Sequence, residues 1–312
     1  MLSTVLALAL LLQLPAQDPA AQLTQNDPAQ LSEVVVVGGI REELAREFIN
    51  QVAAPPRGAT VARWNDEICV GVVNLRTETA RYLIDRVSAF ALEVGLEPEE
   101  PGCDPDVVIV ATINGEAVAR GLVERHRSVL APGNSIQSRS RRDLEAFAEG
   151  QGPVRWWHMS TAVDPRTGRN VVRDPRYDST DPSIENILAS GATFASSGSL
   201  ITSSTRQHLR RAVIIIDFDR LGDVDFDQLA DYVAFVALAQ VDPEGDTSGF
   251  PSILNVFDDP AATPRLTDWD RAYLQGLYRS DDSARGSSAR EGALRREMLR
   301  VREDQGAEAP AD

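Results

Sequence analysis

The sequence predicts an α/β protein, and three observations carry that prediction. From residue 31 to residue 131, apolar runs of strand length alternate with segments of helical period. The run Ala212–Ile216 is too uniformly apolar for a strand with one wet face, so it belongs in a sheet covered on both sides. The segment after it, about Phe226 to Val241, is apolar in almost every direction, which marks a central rather than a superficial helix.

The elements follow in order. The start, MLSTVLALALLLQLPAQDPA, reads as a secretory signal peptide over residues 1–16. Its apolar core, Val5–Leu14, is too short to span a bilayer, and Ala16 supplies a small residue at the expected cut. Residues 17–30, rich in Ala, Gln, Asp and Pro, read as a flexible lead-in. An N-terminal α/β part is expected over 31–131. In it, SEVVVVGGI predicts a buried strand, and REELAREFINQV sets Leu44, Phe48, Ile49 and Val52 at helical spacing. EICVGVVNL predicts a second strand. RTETARYLIDRVSAFALEVGL predicts a helix with Leu83, Ile84, Val87 and Phe90 on one side, closed by Gly95. PDVVIVATI predicts a third strand, and NGEAVARGLVERHRSVL a helix with Asn114 as its N-cap.

Beyond residue 131, SRSRRDLEAF predicts a short helix and PVRWWHMSTAV a strand carrying Trp156 and Trp157. Residues 162–182 are dense in turn formers and predict a hairpin or long loop. After a Ser/Thr-rich stretch, a helix is expected to lead into AVIIID. Residues 281–312 lose their apolar content, which predicts a mobile charged tail.

Composition narrows the chemistry. All 31 basic residues are arginine, so a P-loop lysine, a Schiff-base lysine and a Ser-x-x-Lys pair are excluded. The net charge of −16 argues against a phosphate-binding surface. The expected partner is therefore a protein or a cell-envelope component, with no nucleic acid, no membrane span and no cofactor. The two cysteines, Cys69 and Cys103, are expected to pair, because an exported chain with an even count normally bridges them. Such a loop is worth roughly 3–4 kcal/mol in the chain-entropy model.

The stretch from Asp217 to Asp227 holds the densest candidates. Asp217 closes a buried strand at its carboxyl end, where α/β folds keep ligand sites. Asp217, Asp219, Asp223 and Asp225 supply hard oxygens at short spacing, a weak calcium signal. The EF-hand order fails: Gly222 lies sixth from Asp217, but position five is Leu221 and position twelve is Gln228. The simpler expectation is that Asp223 or Asp225 caps the next helix. Asp231 is the one charge in the middle of that helix and calls for an arginine partner. His158, beside Trp156 and Trp157, completes the set of catalytic candidates with Asp217 and Asp231.

After the helix come FPSILNVFDD and LTDWDRAYLQGLY. A Pro-Ser-Ile-Leu-Asn segment followed by Leu-Thr-x-x-Asp and a helix ending Leu-Tyr resembles secreted bacterial proteins of unknown function related to zincin metallopeptidases. The likeness covers roughly Val213 to Tyr278 and implies a zincin-like α/β part over residues 132–280. In zincins the central helix carries His-Glu-x-x-His; DQLADYVAFVALAQ holds no histidine, so the resemblance implies no zinc site and no zinc-dependent peptidase. The function expected is an exported, periplasmic or secreted, non-catalytic binding or envelope-associated module. The alternative is a hydrolase whose carboxylates act without zinc.

Overall fold

The computed structural model describes residues 41–56, 59–131, 136–137, 139–163, 171–172, 193–194, 206–280 and 287–308. The expected signal peptide and lead-in, the SEVVVVGGI run and most of residues 162–205 lie outside them. The chain divides at Arg41, and residues 42–312 form the unit considered below.

Helix α1 (41–52) keeps Phe48, Ile49 and Val52 inside; its buried face turns to Ala45, leaving Leu44 exposed. The expected second strand is two short ones, β1 (Glu67–Ile68) and β2 (Val70–Val73). They flank Cys69. Then come α2 (Thr77–Glu93), β3 (Glu97–Pro98), β4 (Val107–Thr112) and α3 (Gly115–Leu130). Asn114 caps α3, its side chain accepting from the Ala117 N–H. β5 (Ile136–Gln137), α4 (Arg141–Glu149) and β6 (Val154–Val163) follow. Short β7 (Val171–Val172) and β8 (Thr193–Phe194) pair in parallel. The chain continues through β9 (Arg206–Asp217), α5 (Phe226–Leu238), α6 (Asp268–Arg279) and α7 (Ser287–Glu308).

Five strands make one mixed sheet in the order β2-β4-β9-β6-β5. β2, β4 and β9 are parallel; β6 runs antiparallel to β9, and β5 antiparallel to β6. Strands from both sides of residue 131 share this sheet and its cores, so the expected split into an N-terminal and a C-terminal α/β part is corrected to one unit.

β9 explains the layering. Side chains alternate across a strand. Ala212, Ile214 and Ile216 enter the core under α2 and α5, while Val213 and Ile215 enter the core under α3 and α4. The strand is apolar throughout because both faces are covered. β9 also corrects the helix expected before AVIIID: residues 206–211 are already strand, paired with β6, and the buried Gln207 and Leu209 alternate with more open neighbours. A β-bulge between Met159 and Ser160 accommodates that extension.

In α5 every residue from Gln228 to Leu238 is buried, as its all-round apolar pattern requires. The cap is Asp225, whose side chain accepts from Gln228 N–H while the Gln228 side chain accepts from Asp225 N–H. The expected mobile tail is corrected over Ser287–Glu308: Ala293, Leu294, Met298 and Val301 are buried, and α7 packs on α6. Gly276 permits that contact, since a Cβ there would lie 3.0 Å from Met298 N and 3.2 Å from Leu294 O.

Cys69 and Cys103 form a disulfide, with Cα atoms 6.1 Å apart. Cys69 enters β2 and Cys103 precedes β4, so the bridge ties the starts of adjacent parallel strands. Asp106 supports the same corner by accepting from Cys69 N–H at 3.0 Å.

Candidate binding groove at a strand edge

Among the described residues, β6 has an outer edge that is paired over part of its length only. Among the described residues, β5 pairs with it only at Ser160 and Thr161, and no strand pairs with the outer side of Val154–His158. The ladder with β9 fixes which groups face out. Asp217 N–H donates to Pro153 C=O at 2.8 Å, so Pro153 faces β9. By the antiparallel alternation, Arg155 and Trp157 do the same, and the N–H and C=O of Val154, Trp156 and His158 point to the open edge.

A cavity of about 430 Å³ lies along this edge. α4 walls it on one face of the sheet with Asp143, Ala146 and Phe147; Tyr232 of α5, Val241 and Phe257 wall it on the other. The tryptophans are fixed in place: Trp156 Nε1–H donates to Val241 C=O at 2.9 Å, and Trp157 Nε1–H to Leu130 C=O at 3.0 Å. Trp156 and Tyr232 meet edge-on, and so do Tyr232 and Phe257. At the rim Arg139 bridges Asp242 at 2.7 Å and Asp143 at 3.5 Å, so its charge is met.

Arg155 stands at one end of the cavity and its charge is not met in that way. Only 5% of the residue is exposed. Its side chain makes one long hydrogen bond, Nη2 to Gly152 C=O at 3.4 Å, and Nε and Nη1 find no partner among the described residues. Burial lowers its pKa from the usual arginine range, and the charge of Asp217 works in the opposite direction. Asp217 is partly engaged: Oδ2 accepts from Gly115 N–H at 2.8 Å and lies 3.4 Å from Arg220 Nε, while Oδ1 is buried with no partner among the described residues. Gly115 suits this close approach, because a Cβ there would sit 3.1 Å from Asp217 Cβ and Oδ2.

The three catalytic candidates occupy separate settings. Asp217 joins the end of β9 to the start of α3. Asp231, fully buried, pairs with Arg86 of α2 and accepts from Leu266 N–H at 2.8 Å. His158 lies under α5, its Nε2 2.9 Å from Val236 C=O, and burial lowers its pKa to about 4. Two of the four calcium candidates have other roles, Asp217 as above and Asp225 as the helix cap; Asp219 lies in the short turn after β9 and Asp223 is exposed ahead of the cap. Asp227, beside them, binds Arg265 and Tyr82. Among the described residues the one cluster of ligand-type side chains within 4.8 Å is Cys69, Glu99 and Cys103, and its sulfurs form the disulfide.

The two motifs quoted from the C-terminal part meet at one carboxylate. Asp270 is fully buried and accepts from Ser252 Oγ at 2.6 Å, Ile253 N–H at 2.7 Å, and Thr267 N–H and Oγ1 at 2.9 and 2.7 Å. Burial outweighs these bonds and raises its pKa to about 6. Asn255 clamps the adjoining loop, donating to Thr247 C=O and Phe250 C=O. The Ser, Asn, Thr and Asp of these motifs therefore hold a loop against α6.

Arg155 and the open edge were missed at the sequence level. A lone arginine inside PVRWWHM, within a strand otherwise apolar up to His158, is the signal that could have found the residue. Comparison with known protein families, with curated proteins and with solved structures finds no match.

Proposed function

We propose that this protein is a non-catalytic binding module that takes an extended polypeptide segment on the open edge of β6. The observation that carries the reading is the cavity itself, which follows unpaired main-chain groups between apolar walls. Outward N–H and C=O groups at alternate residues are what an added strand pairs with, and the flanking aromatics supply pockets for its side chains. From Val154 to His158 the open edge is about 15 Å long, room for four or five residues at strand spacing. The groove already exists, which limits the ordering cost of binding.

We place the module outside the cytoplasm, periplasmic or secreted. The disulfide and the apolar leader Val5–Leu14 support this. Among the described residues no helix is long and apolar enough to cross a membrane. The kinship with zincin-related secreted proteins is part of the same proposal, resting on the motif pattern, and here the fold of such a part would serve binding. Hydrolysis by carboxylates would need two acids facing a common substrate; Asp217 and Asp231 are each held in their own network.

Panning a displayed random heptapeptide library against the purified oxidised protein tests the reading. Recovered peptides should bind by fluorescence anisotropy, and Ala146→Trp, which fills the groove from an exposed helical position, should abolish binding without shifting the melting midpoint. Peptides that bind the Ala146→Trp variant as well as the wild type would place the binding surface elsewhere.

A further inference from the structure

We propose that the groove reads the free C-terminus of its peptide, with Arg155 as the carboxylate anchor. This rests on the strand-edge reading above and adds a ligand class to it: an extended segment with apolar side chains that ends in a free α-carboxylate.

Three observations converge. The first is charge. Arg155 is 95% buried by its 5% exposure, lines the cavity, and keeps Nε and Nη1 without partners among the described residues. Asp217 acts on Arg155 through its charge, but no ion pair within 4 Å joins them among the described residues. A buried cation is costly unless paired, and a guanidinium fork matches a carboxylate in shape as well as charge. The other cation of the groove, Arg139, is already bridged to Asp242 and Asp143, so the demand for an anion sits at one end only.

The second is direction. β5 runs antiparallel to β6 and leaves it at Gln137, opposite Ser160; by residue 141 the chain has become α4. A peptide continuing the line of β5 along the open edge passes His158 first and Val154 last. Its C-terminus then arrives at Arg155. A peptide lying parallel to β6 would bring its ammonium to the same guanidinium, a repulsive arrangement.

The third is the shape of that end. Beyond Val154 the cavity is lined by Gly150, Gln151, Gly152 and Pro153, the connection between α4 and β6, which a continuing chain would meet. A terminus that stops at this connection avoids it, whereas a through-running strand would have to pass over it. The middle of the groove is apolar, with Trp156, Trp157, Phe147 and Phe257, and suits apolar side chains on both faces of the added strand.

The test uses two fluorescent, N-acetylated random hexapeptide pools, one with free C-terminal carboxylates and one C-terminally amidated, titrated into the purified oxidised full-length protein. The acid pool should bind at least tenfold more tightly, which is about 1.4 kcal/mol. Arg155→Gln should remove that preference, leaving both pools at the amide level, and Arg155→Lys should restore part of it; melting curves check that both variants fold. Equal binding of the two pools to the wild type, or an acid preference that survives Arg155→Gln, overturns the anchor and leaves the strand-edge reading standing. No binding of either pool overturns both. Concentration-dependent dimerisation in sedimentation, lost in Ala146→Trp, assigns the edge to a second copy of the chain and overturns the anchor as well.

Discussion

Asp231 and Arg155 are both charges inside the fold, and the fold treats them differently. Asp231, at the middle of α5, is wholly buried yet receives the Arg86 guanidinium and the Leu266 N–H. Arg155, at the start of β6, is almost as buried and has, among the described residues, one long bond, to Gly152. A buried charge with a complete set of partners is part of the architecture. One that retains unused donors beside a cavity points to something that binds there. The difference separates a residue that ties helix to helix from one that ties protein to ligand.

The difference is best challenged at Arg86. Arg86→Met leaves Asp231 buried without its counter-charge and should destabilise the protein by about 3 kcal/mol, seen as a lower urea midpoint with an unchanged slope. A shift near zero would mean that Asp231 is no more committed than Arg155.

His158, on the same strand as Arg155, shows how a buried group responds to pH. Its folded pKa is about 4, against about 6.5 in an unfolded chain. Between those values the unfolded chain takes up a proton that the folded protein refuses. Stability is therefore full above pH 6.5 and declines on acidification, by up to about 3 kcal/mol on reaching pH 4. Asp270 acts with the opposite sign: its folded pKa, about 6, lies above the unfolded value near 3.9, so between them acid favours the folded state. Comparing wild type with His158→Gln at pH 7 and pH 4.5 cancels Asp270. The variant should lose less stability than the wild type over that interval, and parallel losses would contradict the buried neutral imidazole.

Asp225 is a surface control. Asp225→Ala removes the α5 cap and should cost about 1 kcal/mol, whereas Asp223→Ala, which loses no cap, should be close to neutral by thermal unfolding. Calcium should leave the midpoint of the wild type and of both variants unmoved.

The smallest effect is expected at Arg155 itself. Among the described residues, Arg155→Leu breaks no ion pair within 4 Å and gives up one long hydrogen bond, so stability should stay within about 1 kcal/mol of the wild type. A loss as large as that of Arg86→Met would show Arg155 to be structural and would remove the contrast.

Much of the fold was legible because it depends on local pattern. The period of α2, the Asn114 cap, the uniformly apolar Ala212–Ile216 and the all-round apolar α5 each carry their own signal in neighbouring residues. The beginning of β9 was read as a helix because RQHLRR is polar, and it becomes strand through pairing with β6 across a bulge. The C-terminal helix was read as a loose tail because its hydrophobic positions are few; burying Leu294, Met298 and Val301 on α6 is what holds it. The site was least legible. Asp217 and Asp231 drew attention by residue type, and Arg155 did not.

By itself, the sequence determined the α/β class, the pairing of the two cysteines, the central helix and the absence of a zincin-type histidine pair, because composition and short-range periodicity are properties of the chain alone. Only the tertiary structure decided that one sheet unites both parts of the chain, that Asp231 belongs to Arg86, and that, among the described residues, β6 keeps an open edge with an unsatisfied arginine at its end. Those facts depend on which distant segments come to lie within hydrogen-bonding reach, roughly 3 Å, and side-chain spacing along a single strand or helix carries no record of that.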